Sequence, residues 1–75
     1  MKVSYENLWI ILKDRDMKKT DLIKNTNISP NTLSKLSKNE FVKLETIGKI
    51  AIYLGVQISD LAYVYSGSEV KNEKV

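Results

Sequence analysis

Asn31, Thr32, Ser34 and Lys35 place an amide, two hydroxyls and an ammonium within five residues, and Leu33 and Leu36 interrupt them at helical spacing. An amide both donates and accepts hydrogen bonds, a hydroxyl does the same, and an ammonium only donates. That combination suits the edges of base pairs and the oxygens of phosphates. It does not suit bond-breaking chemistry. The 75 residues include no histidine and no cysteine, so disulfides, thiol nucleophiles and the usual zinc sites are excluded. There is no glycine-rich phosphate loop, and the carboxylates are scattered without a recognisable acid–base pair. The chain therefore reads as a binding protein, not an enzyme, with no cofactor, metal or small-molecule ligand expected.

Local signals define the elements that carry these residues. Ser29 can accept a bond from a free amide one turn into a helix, and Pro30 suits the first helical position, where its missing N–H costs little. The spacing predicts a helix from Pro30 to about Lys38. Leu33 and Leu36 point inward and Ile28 anchors the entry, which leaves Asn31, Thr32, Ser34, Lys35 and Lys38 outside. Before it, Leu22, Ile23 and Thr26 lie at one-turn spacing in a helix from about Lys19 to Thr26. Asn27 tolerates a left-handed backbone and can redirect the chain between the two. Two short helices folded across one small connection are how a small domain presents a helix to the DNA major groove.

The remaining elements complete an all-α domain of four to five short helices, with no strand-like alternation of useful length. Ser4 is expected to cap a first helix reaching about Lys13, with Tyr5, Leu8, Ile11 and Leu12 as its inner stripe, widened by Trp9 or Ile10. Leu44, Ile47, Ile50, Ala51 and Leu54 recur with the helical period until Gly55 supplies a stop. A short fifth helix is expected to hold Ile58, Leu61 and Ala62. Residues 1–65 read as the domain and residues 66–75 as a polar tail.

Net charge is only +3, but its distribution is uneven. From Lys18 to Lys49 seven lysines face Asp21, Glu40 and Glu45, a balance of +4, while all other residues sum to −1. Clustered lysines attract a polyanion and release its counterions, which makes binding salt-dependent. The lack of a signal-peptide pattern or long apolar run fits a soluble cytoplasmic protein away from membranes.

The order of Asp21-Leu22, Asn27-Ile28-Ser29, Thr32-Leu33-Ser34-Lys35-Leu36, Leu44-Glu45-Thr46-Ile47, Lys49-Ile50-Ala51 and Leu54-Gly55-Val56 resembles the helix-turn-helix domains of the lambda repressor and Cro type, the XRE family. The resemblance covers roughly residues 5 to 65 and implies a lambda repressor-like fold and a sequence-specific regulator of double-stranded DNA, a repressor in type. It makes the helix from Pro30 to Lys38 the recognition helix, with Asn31, Thr32, Ser34 and Lys35 touching bases or nearby phosphates. By the same resemblance Lys19, the helix start at Ser29, and Lys38, Asn39 and Lys43 grip the phosphate backbone. Some positions depart from the family pattern. Pro30 stands where members often carry a long polar side chain, and Asn27 and Asn39 replace frequent glycines. Lys18 and Lys43 occupy cap positions although lysine cannot accept an amide bond. The alternative function is a protein-interaction module, such as an antitoxin or small adaptor, that uses the same face.

The apolar run from Leu61 through Tyr63, Val64 and Tyr65 lies close to the terminus of a chain that can cover little surface. It either forms the seam of a homodimer or completes the monomer core. Family members commonly bind two half-sites as dimers, which sets recognition helices about 34 Å apart.

Overall fold

The computed structural model describes residues 1–66. Its helices stop where the chain can enter the left-handed backbone region. Helix α1 (Glu6–Asp14) is followed by Asp16 at φ 56°, and α2 (Lys19–Thr26) by Asn27 at φ 59°. Helix α3 (Pro30–Ser37) is followed by Asn39 at φ 57°, and α4 (Leu44–Leu54) by Gly55 at φ 71°. Asparagine and aspartate enter this region more readily than other side chains, and glycine enters it freely. Three of these exits are closed by an amide five residues beyond its acceptor: Met17 N–H to Leu12 C=O at 2.8 Å, Glu40 to Lys35 at 2.9 Å and Val56 to Ala51 at 3.0 Å. Such bonds satisfy carbonyls that a helix end otherwise leaves bare.

The four helices enclose one core. Tyr5, Leu8 and Leu12 enter it from α1 and its approach, Leu22 from α2, and Leu36 from α3; Ile47, Ile50, Ala51 and Leu54 enter from α4. Helix α2 packs against both α3 and α4, so it joins the helical pair to the longest helix. Trp9, Ile11, Ile23 and Leu33 are half-buried around that core.

Four expectations need correction. The chain is mostly helical but also holds a two-stranded antiparallel sheet, β1 (Lys2–Ser4) with β2 (Tyr63–Tyr65), in the register Lys2 to Tyr65, Val3 to Val64 and Ser4 to Tyr63. Three-residue strands are too short to show alternation, and their pairing is made across almost the whole described chain. Ser4 consequently lies in β1, not in the cap position of α1, although its Oγ still accepts the Glu6 N–H at 3.3 Å. The expected fifth helix is a single 3-10 turn, Ile58–Asp60, and Leu61 follows it. Leu44, expected in the inner stripe, is 71% exposed, because it begins α4 at the edge of the buried arc. Of the expected polar tail, residues 67–75 lie outside the described residues.

Candidate nucleic-acid interface

The outward face of α3 is set from below. Leu36 is fully buried, Ile28 nearly so and Leu33 half-buried, so rotation of the helix would expose apolar surface. Its start is fixed by Ser29, whose Oγ accepts the Thr32 N–H at 3.1 Å, with Pro30 in the first turn. Asn31, Ser34 and Lys35 then share one exposed surface at one-turn spacing. Among the described residues their side chains have no hydrogen-bond or ion-pair partner, and the same holds for Lys38 and Lys43. Thr32 differs: it is half-buried, and its hydroxyl lies 3.0 Å from Ser29 Oγ. The hydroxyls of Ser29 and Thr32 thus serve the helix start.

The structure holds Lys19 firmly. Its Nζ lies 4.3 Å from the centre of the Trp9 ring and donates to Ser37 Oγ at 3.3 Å, so one ammonium bridges α1, α2 and the last turn of α3. A cation over an indole face is attracted by the ring quadrupole. Lys18 precedes α2 and acts there through its backbone: its N–H donates to Asp21 Oδ2 at 2.8 Å and its carbonyl accepts the Asp21 N–H at 3.0 Å. Asp21, an acid within the basic segment, is thereby used as a cap.

Lys38, Asn39 and Lys43 stand in the connection between α3 and α4, and Asn39 has a further task. Its Oδ1 accepts the Tyr5 N–H at 3.1 Å, and the Tyr5 hydroxyl donates to the Glu40 carbonyl at 2.8 Å. These two bonds tie the end of α3 to the start of α1. Burial pushes the Tyr5 phenol above its ordinary pKa, and a backbone contact with Val42 partly opposes that shift. Neither Tyr5 nor Ser37 nor Trp9 was legible as a supporting residue. The only signal was the placement of Tyr5 and Trp9 in the apolar stripe, which identifies core and not hydrogen-bond partners.

The four residues expected at a dimer seam are divided. Leu61 is fully buried in the monomer core, because the 3-10 turn rotates it inward, and so it cannot line an open seam. Tyr63, Val64 and Tyr65 are exposed on β2, with the two tyrosine rings 5.9 Å apart. They lie on a different element from the polar face of α3. Among the described residues no helix is long and apolar enough to cross a membrane, and no three acidic side chains cluster as metal ligands.

The fold that presents this face is similar to one already solved. The crystal structure of the transcriptional regulator VanUg, Form II, matches with a TM-score of 0.80 and 42% identity, over 83% of this chain and 83% of that one. No curated protein matches. The profile of the Cro/C1-type HTH DNA-binding domain matches residues 7–65, from the first turn of α1 to the end of β2. The chain belongs to the Cro/C1-type helix-turn-helix DNA-binding domain family.

Proposed function

We propose that this protein is a cytoplasmic, sequence-specific transcriptional regulator of double-stranded DNA that represses by occupying its site as a homodimer. The observation that carries the reading is the outer face of α3, where Asn31, Ser34 and Lys35 are exposed and unengaged by the protein. Groups that hydrogen-bond only to water can exchange that water for base edges without breaking internal bonds. In the major groove the Asn31 amide matches the donor and acceptor of adenine, and Lys35 reaches guanine acceptors. Ser34 adds a hydroxyl contact nearby, and Thr32 adds one by turning its hydroxyl away from Ser29. Lys19, already fixed by Trp9 and Ser37, meets phosphate at little further ordering cost. Lys38, Lys43, the backbone amides at the Ser29 helix start and the Asn39 amide grip the strand on either side. No catalytic step is assigned to any residue.

The test is selection of duplexes from a random pool, with the winners' affinities measured at two salt concentrations. The expected result is an inverted repeat with half-sites about ten base pairs apart and affinity that falls steeply with salt. Recovery of no preferred sequence, with binding that vanishes at physiological salt, would overturn the reading in favour of a protein-interaction module.

A further inference from the structure

Ile52 and Leu44 are 83% and 71% exposed, and among the described large apolar side chains only Met1, at 83%, is as open. Both stand on α4 with Gly48 midway between them, so the three fall within an arc of about 80° on the helix. Glycine inside a helix is disfavoured against alanine because it surrenders more backbone freedom. A left-handed backbone or crowding would justify one, and neither applies. Gly48 is not among the positive-φ residues, and a Cβ placed on it would meet no atom within 4 Å. The monomer thus keeps a bare stretch of helix between two apolar side chains that its own fold leaves in water.

Charge on the flanks identifies the occupant. Glu45 and Lys49 are both exposed and stand one turn apart beside this stripe. A second α4 related by a two-fold axis at Gly48 runs antiparallel. It sets Leu44 against the other copy's Ile52, lets the two Gly48 backbones approach closely, and brings Glu45 beside Lys49 on both sides. A parallel pairing would put the charged flanks of the two copies on opposite sides of the seam, where Glu45 and Lys49 could not meet. We propose that α4 is the seam of an isologous homodimer, with Leu44, Gly48 and Ile52 as its apolar track and Glu45 and Lys49 setting its direction. The inference rests on the dimeric reading above and locates the seam on α4 instead of at Tyr63, Val64 and Tyr65.

Sedimentation velocity of the full chain without DNA, across a range of micromolar concentrations, tests it. The wild type should pass from monomer to dimer. Ile52→Lys and Gly48→Leu should each weaken dimerisation by about tenfold or more with helical circular dichroism unchanged, since both positions face outward. Glu45→Lys should weaken it less, and adding Lys49→Glu should restore it. Dimers that survive Ile52→Lys and Gly48→Leu but dissociate with Tyr63→Lys and Val64→Glu would overturn the α4 seam and return it to β2. A wild type monomeric at every concentration would also overturn it, while duplex selection that still recovers a single half-site would preserve the DNA-reading function. An α4-dependent dimer with no DNA preference would support the seam and overturn the function.

Discussion

Helices α3 and α4 each bury one side in the same core, yet they meet water with opposite chemistry. The outer surface of α3 carries Asn31, Ser34 and Lys35, whereas α4 shows Leu44, Gly48 and Ile52 with Glu45 and Lys49 beside them. Their starts differ as well. Ser29 caps α3 through its hydroxyl, but Lys43 precedes α4 with no side-chain cap. The contrast reflects where each helix obtains its stability. Helix α3 contributes only Leu36 as a buried residue, so it depends on local devices. Helix α4 buries Ile47, Ile50, Ala51 and Leu54 and tolerates a poor start and an interior glycine, because packing outweighs propensity. A face that stays polar on a locally stabilised helix suits a polyanion; one that stays apolar on a well-packed helix suits another apolar surface.

The largest effect should come from the floor the two helices share. Leu36→Ala and Ile50→Ala, both at fully buried positions, should each cost about 2–5 kcal/mol in urea unfolding. A much smaller cost for Leu36 would mean that α3 is held by its cap alone. Next is the polar face: Lys35→Ala should cost about 1–3 kcal/mol on the preferred duplex and relax specificity there, and an equal loss on all sequences would reassign Lys35 to phosphate.

The caps sharpen the contrast further. Ser29→Ala should destabilise by about 1 kcal/mol, while Lys43→Ser should gain a similar or smaller amount and lower the salt slope of DNA binding by about one ion. Gly48→Ala should stabilise the monomer by about 0.5–1 kcal/mol when melted below the dimerisation range, since no atom obstructs the new methyl.

An effect of comparable size, set apart by its dependence on pH, lies at the link between α1 and the end of α3. Because burial raises the Tyr5 phenol pKa, folding favours the neutral form, so its contribution is complete below the ordinary value near about 10 and is lost as pH rises above it. Tyr5→Phe should flatten that alkaline loss while costing about 1 kcal/mol at neutral pH for the bond to Glu40, as read from melting temperature against pH.

The helical pair was legible from residues alone because its signals are local. Asn27 at the turn, Ser29 and Pro30 at the start of α3 and Gly55 at the end of α4 act within a few residues of themselves, and each adopts the backbone its type favours. The outward set Asn31, Ser34 and Lys35 followed from the same periodicity. Contacts distant in sequence decided the rest. The pairing of Lys2–Ser4 with Tyr63–Tyr65, the burial of Leu61, the bond from Tyr5 to Asn39 and the capture of Lys19 by Trp9 and Ser37 depend on where the helices bring separate segments together. Propensity and spacing describe neighbours along the chain and carry no term for such meetings. The sequence by itself therefore determined the helices, their stops and the polar face of α3, whereas only the tertiary structure decided which of those polar groups stay unengaged and which apolar ones remain in water.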